Sequence, residues 1–423
     1  MNPFEENPID LESAFQNWKQ LYPAPYNKRD VDPYTKTRII LMNGTEFEAN
    51  WFSHQFDRHC SNNELRGELA ITRMLEKQQQ IKISLLKPGN ESILEHTISY
   101  EQLAVDLTAE LARRETDCNV KRALDFALLE DFDHLYRYAN LLEAEAGVNA
   151  ERLVGRYTEI MPGRPTISHH RFPRDNVRRS TDESAAVQTT LSAMIITAAE
   201  QQTMNYYMNM TNLYPSDPGR RLYEEIALVE EEHVTQYECL LNPMLSWLEN
   251  LLWHEFNECY LYYSCYQTET MPYIKLLWEQ NLAIEIAHLH RAAALLEKYE
   301  GKHWQQVIPV GEFPAPVSLH ENIEYVRQVL GATVQYTSVG EDYYKVEELP
   351  RDADFFAYQQ VINPSVSIVP SHNVIESMIR RNGRDYRFQV APNPVPELRC
   401  RTEDNTSVGR VPGAAQSTDF DCN

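Results

Sequence analysis

Between about residue 100 and Glu300, apolar side chains recur at three- and four-residue intervals, the period of helices that bury one face. The pattern predicts helices near 100–116, 118–146, 184–212, 218–241, 244–268 and 271–300. Thr116-Asp117, the run Pro215 to Gly219, Asn242-Pro243 and Met271-Pro272 break them, and Gly301 closes the last. The stretch from Gly147 to Glu183 is rich in Pro, Arg and His and reads as an irregular crossover. Before residue 90 the texture is mixed. Asn2 to Tyr34 is polar and interrupted by prolines, and Asn63 to Gln80 reads as a helix. Ile81 to Ser99 alternates around Lys87-Pro88-Gly89-Asn90, the pattern of a β-hairpin, with helix as the competing reading for its second half. Ser99 with Gln102 has the form of a capping box. After Trp304 come a linker-like run from Pro309 to Pro316, a short helix over Asn322 to Leu330, and short polar and β-branched stretches. From about Asn393 the composition is that of a disordered or extended tail. The expected fold is therefore mostly α: an antiparallel helical bundle with extra helices over 100–304, a mixed region over 1–99, and an irregular extension over 305–423.

Several polar residues interrupt the apolar stripes of these helices. Three segments place an acid three residues before a histidine: Glu230 and His233, Glu285 and His288, Asp131 and His134. Residues i and i+3 share a helix face, so both side chains can reach one ion. Glu230 falls on the stripe Tyr223, Ile226, Tyr237, Leu241, Glu285 on Trp278, Leu282, Leu289, Ala292, and Asp131 on Leu124, Ala127, Tyr138, Leu142. Each acid is aimed where its helix should bury apolar surface. A carboxylate buried there needs a cation or a proton.

A second regularity accompanies them. Thirty residues before each acid stands a glutamate: Glu101 before Asp131, Glu200 before Glu230, Glu255 before Glu285. Each pair straddles a helix break near its midpoint. In an antiparallel hairpin, positions about 15 residues either side of the turn lie at one height, roughly 22 Å from it. Lone glutamate and acid-x-x-His would then meet across the hairpin. Glu258, one turn beyond Glu255, competes for that role.

This set resembles the ferritin-like di-metal carboxylate superfamily, its rubrerythrin-like branch in particular. Ala199-Glu200-Gln201 followed by Tyr206, and Leu228-Val229-Glu230-Glu231-Glu232-His233, look like its paired helices. The family builds its site from a Glu on each of two helices and Glu-x-x-His on each of two others. The resemblance, covering about 100–300, implies two metal ions, iron or alternatively manganese. It assigns them to Glu200, Glu230, His233, Glu255, Glu285 and His288, with Glu101, Asp131 and His134 as the alternative second half-site. It also implies bridging by the Glu of each Glu-x-x-His, chemistry on O2 or peroxide, and an electron donor it does not identify. Asp131 stands where the family has Glu, and no Cys-x-x-Cys centre is present. A site needs two hairpins and the chain offers three. Joining 184–241 to 244–300 uses both Glu-x-x-His motifs. Joining 100–146 to 184–241 uses the long crossover. The remaining half-site is left to structure, to a separate ion, or to its copy across a homodimer.

The net charge of -23 argues against nucleic acid and anionic membrane surfaces as partners. No apolar run is long enough for a membrane-spanning helix, and Met1 to Asp10 lacks the apolar core of a secretory signal. Seven scattered cysteines without a Cys-x-x-Cys fit a reducing, cytoplasmic setting. His169-His170 reads as part of a surface loop, with lid or ligand as the rarer role. Tyr206, Tyr207, Tyr260, Tyr262, Tyr263 and Tyr266 read as core filling before redox relays, and Cys259 and Cys265 as buried thiols. The function expected first is a di-iron or di-manganese oxidoreductase. The alternatives are non-catalytic iron handling or ferroxidase activity, and a structural or interaction protein with the same fold.

Overall fold

The computed structural model describes residues 1–155, 157–163 and 169–387. The expected tail from Asn393 lies outside them. The chain is mostly helical: α1 Pro33–His59, α2 Asn63–Leu85, α3 Ile93–Arg114, α4 Cys118–Ala146, α5 Glu151–Val154, α6 Val187–Leu213, α7 Asp217–Glu238, α8 Trp247–Thr268, α9 Pro272–Glu300, α10 Ile323–Thr333, α11 Asp354–Ile362 and α12 Pro370–Asn382. Between α10 and α11, strands β1 Tyr336–Val339 and β2 Asp342–Lys345 pair antiparallel, Tyr336 opposite Lys345. Gly340 supplies the positive φ of 61° at their turn. No helix among the described residues is long and apolar enough to cross a membrane.

The chain divides into two compact units, neither contiguous in sequence. The first comprises Met1–Glu91, Thr181–Gln202 and Leu241–Ser318, and the second Ser92–Ser180, Thr203–Leu240 and the chain from Leu319 onward. This replaces the expected division at 99 and 304. Helix α6 passes from the first unit into the second after Gln202.

In the first unit, hairpin α1/α2 packs against hairpin α8/α9, through α1 on α8 and α2 on α9. Leu11 of the N-terminal segment closes a small core with Leu75, Ile284 and Ala287. Helix α1 has no counterpart among the sequence expectations. Its buried face carries Thr35, Lys36, Thr37, Arg38, Thr45, Glu46, Asn50 and Ser53, so no clean apolar stripe marks it. These groups find partners inside: Lys36 pairs with Glu91 at 3.2 Å and Arg38 with Glu269 at 3.3 Å.

The β-hairpin expected over Ile81–Ser99 is not formed. Helix α2 runs on to Leu85, and α3 starts at Ile93 behind a capping box of Ser92 and Glu95, seven residues before Ser99. The alternation that suggested strands has another cause: Ile83 and Leu86, three apart, are buried on one face at the end of α2.

In the second unit, α3 and α4 form an antiparallel hairpin, and α4 carries α7, α10 and α12. Glu225 of α7 ties three of its parts together. It accepts from Arg137 of α4 at 3.1 Å and from the backbone N–H of Ser371 in α12 at 2.7 Å, and His170 lies 3.8 Å away. Burial opposes its ionisation, but His170, Arg137 and Ser371 outweigh it and hold its pKa near 2, below the ordinary 4.5. A carboxylate with a depressed folded pKa stabilises above its unfolded pKa, and the contribution is lost as pH falls through the folded value. Glu225→Gln is therefore expected to cost about 3 kcal/mol at pH 7 by urea denaturation. The gap should close between pH 4.5 and 2; a pH-independent gap would show that the charge is not responsible.

Candidate metal centres

The second unit gathers five predicted ligands at one depth. Helix α3 supplies Glu101, α4 supplies Asp131 and His134, and α7 supplies Glu230 and His233. None is more than 1% exposed. Asp131, Glu230 and His233 offer ligand atoms within 4.8 Å of one another, as do Glu101, His134 and Glu230. Glu230 is common to both sets. One of its oxygens lies 3.0 Å from His134 Nδ1 and the other 3.0 Å from His233 Nδ1. The helical spacing of the acid-x-x-His pairs places them so.

The His233 ring is held from both sides. Nδ1 faces Glu230 and, at 3.3 Å, Asp131 Oδ1, while Nε2–H donates to Glu130 Oε2 at 2.8 Å. A neutral imidazole has one N–H, so it cannot donate to carboxylates at both ends. The ring is charged, or one of the flanking acids carries a proton, or a cation takes the Nδ1 side. The last arrangement is the usual one for a ligating histidine, whose far nitrogen donates to a carboxylate. Glu130 is fixed in turn by the fully buried Arg171, which also pairs with Glu232 at 3.3 Å. Burial pushes the pKa of His134 well below its ordinary value, with His233, Arg137 and His170 adding to the shift. Thr108 donates to Asp131 at 3.4 Å and Tyr207 to Glu101 at 2.5 Å. Tyr138, Tyr207 and Tyr223 pack beside the group with their rings tilted to one another, centroids 4.9 to 5.6 Å apart.

The first unit contains a second group. Glu285 and His288 of α9 and Glu255 of α8 meet there as expected, but with partners the sequence reading omits: Glu46 of α1, and Glu76 and Gln79 of α2. Glu258, the competitor of Glu255, belongs to the same group: Glu255, Glu258 and Glu285 lie within 4.8 Å of one another, as do Glu76, Glu255 and His288. His288 Nδ1 is 3.0 Å from Glu285 and 3.7 Å from Glu255, and Gln79 Nε2 donates to Glu285 at 2.5 Å. Tyr262 donates to Glu46. Burial, reinforced by neighbouring carboxylates, pushes Glu46, Glu255 and Glu258 far above the usual carboxylate range. Burial likewise pushes Glu76 up to about 7.

The six residues expected in one centre are thus divided. Glu230 and His233 lie in the second unit, with Asp131, His134 and Glu101 of the alternative half-site. Glu255, Glu285 and His288 lie in the first, and the join of 184–241 to 244–300 is replaced by two separate pairings. The physical reason is α1/α2, a fourth hairpin that supplies α8/α9 with its partner. Glu200 is buried on α6, two residues before that helix leaves the first unit.

One signal could have found the fourth hairpin. Glu46 stands thirty residues before Glu76, the interval of the other three pairs. Gln79 in the place of a histidine concealed it. His169 and His170 correct the surface-loop expectation: both are buried, and His169 Nε2 lies 3.3 Å from Asp133. Cys259 and Cys265 are buried thiols, and burial raises the pKa of Cys265 to about 12, which leaves it unreactive near neutrality. Comparison with protein-family models finds no match, and comparisons with curated proteins and solved structures find no significant match.

Proposed function

We propose that this protein is an oxidoreductase of the ferritin-like di-metal type, using paired iron ions, or alternatively manganese, to handle O2 or peroxide. The observation that supports this reading is His233, clasped between Glu230 and Asp131 on its Nδ1 side and Glu130 on its Nε2 side. That environment suits a ring that gives Nδ1 to a metal. The donors, carboxylates with two imidazoles, suit iron and manganese.

Glu101, Asp131, His134, Glu230 and His233 would hold the ions, with Glu230 presenting one oxygen beside each histidine. The metal pair would supply two-electron redox chemistry. The chain's own residues prepare the place for it. Glu130 and Arg171 fix the His233 ring, Thr108 orients Asp131, and Tyr207 fixes Glu101. The walls of Tyr138, Tyr207 and Tyr223 exclude water, which strengthens every charge interaction inside.

The test is elemental analysis of the intact protein, followed by O2 or peroxide consumption with a chemical reductant. Iron or manganese bound in the second unit together with catalytic consumption is the expected result. Bound iron without turnover would favour iron handling. Protein that binds neither ion when reconstituted would leave a structural or interaction role.

A further inference from the structure

The group in the first unit differs chemically from the group in the second. It offers four carboxylates at ligand spacing, Glu76, Glu255, Glu258 and Glu285, a fifth, Glu46, close enough to be repelled by Glu285 and Glu76, and a single imidazole, His288. All six are at most 2% exposed. Among the described residues, no Lys or Arg forms an ion pair with any of the five acids; His288 is their one ion-pairing partner. The nearby cations act from further off. Lys77 and Lys82 influence Glu46, Arg73 and His254 influence Glu76, and burial itself disfavours the charge of Lys82.

The group also contains buried acceptors without a donor. Both oxygens of Glu258 and one oxygen each of Glu46, Glu76 and Glu255 have no hydrogen-bond partner among the described residues. Neither does Oε1 of Gln79, an uncharged side chain 2% exposed whose amide nitrogen is held by Glu285. Buried acceptors left without donors are costly, and so many around one imidazole form a cage short of positive charge. A proton on each acid would lessen the repulsion, but each neutral acid would still need an acceptor for its O–H.

We propose that the first unit holds a second metal centre, oxygen-rich and built for two hard divalent cations of the manganese class, independent of the centre in the second unit. Carboxylate and amide oxygens favour Mg, Ca and Mn, and the one imidazole shifts the preference from Mg and Ca toward Mn. Two divalent ions would balance four of the five carboxylate charges. The chain would then carry four ions in two classes.

The experiment is metal loading of the full chain with Mn2+ and Fe2+ together, read by elemental analysis and by the Mn2+ paramagnetic resonance signal. Wild type should retain about two manganese ions that Glu230→Ala does not remove. The double variant Glu46→Gln, Glu258→Gln should lose those two and keep its iron. Manganese unchanged in that variant would overturn the proposal. So would a variant stabilised against urea from a wild type that binds no manganese, because the acids would then be neutral filling. Should the variant fail to fold, a titration of wild type with Mn2+ decides: saturation at two ions in all, both removed by Glu230→Ala, refutes a second centre. Wild type that keeps the two manganese ions but takes up no iron, or whose iron survives Glu230→Ala, would instead count against the second-unit reading alone.

Discussion

Arg171→Met is expected to destabilise the second unit by about 3–5 kcal/mol, as loss of one partner from a buried ion pair does. Arg171 is fully buried and serves two acids at once, Glu130 through Nη1 and Glu232 through Nη2 and its backbone N–H. Its Nε donates to Asn176 at 2.6 Å, and its guanidinium lies 5.0 Å from the Phe126 ring centre. Methionine fills much of the volume but leaves two carboxylates inside without a cation. Burial already pushes Glu232 up to about 7 with the arginine present, so the variant's loss should be greatest above that pH. A second effect follows through Glu130, which orients His233. Loss of such an outer partner typically weakens metal binding about 10- to 100-fold. Arg171→Lys keeps the charge but not the fork, and should recover part of the stability and less of the metal affinity. Urea denaturation at pH 6 and 8 with iron titration of each variant measures both. A loss below about 1 kcal/mol, in the range of exposed pairs, would mean that the pair is solvated.

The elements legible in the sequence were those whose apolar period runs the length of the helix. Helix α4 spans Cys118–Ala146, as its period predicts, because Leu124, Ala127, Leu128, Leu135 and Leu142 keep that period on either side of Asp131. Helix α1 was not legible. Its buried side includes Glu46, Asn50, Lys36 and Arg38, the last two paired with Glu91 and Glu269 from distant parts of the chain. Such tertiary pairing cancels the cost of burying charge, and nothing local signals it. Lys87-Pro88-Gly89-Asn90 does mark a turn, but turn chemistry does not say whether strands or helices flank it.

The candidate ligands were legible for a different reason. An acid three residues before a histidine on an apolar stripe conflicts locally with burial, and only a cation or proton resolves that conflict. Glu230, His233, Glu285, His288, Asp131 and His134 all showed it, and all are buried. Glu46 and Glu76 carry the same conflict without a histidine to mark it, because Gln79 occupies that position. The long sequence separation of the first unit's hairpins also hid their pairing. Residues 33–85 and 247–300 join across a long intervening stretch, most of it belonging to the second unit, whereas chain order favours neighbours.

Replacing Glu230 with alanine should remove the centre of the second unit and, with it, the proposed activity. Glu230 is the one residue whose two oxygens reach both histidines, His134 and His233, each at 3.0 Å. Without it His134 loses its Nδ1 partner, and His233 keeps on that side only Asp131, at 3.3 Å. The expected loss of iron affinity exceeds the roughly 100-fold typical of outer-shell changes, because a ligand itself is gone. Peroxide or O2 consumption should fall to background. Glu230→Gln separates charge from shape: the amide fills the same space and can still offer one oxygen, so partial iron occupancy with the fold retained is the expected result. A folded Glu230→Ala protein that keeps wild-type iron would remove Glu230 from the ligand set and leave its contacts with both imidazoles a purely structural bridge between α4 and α7.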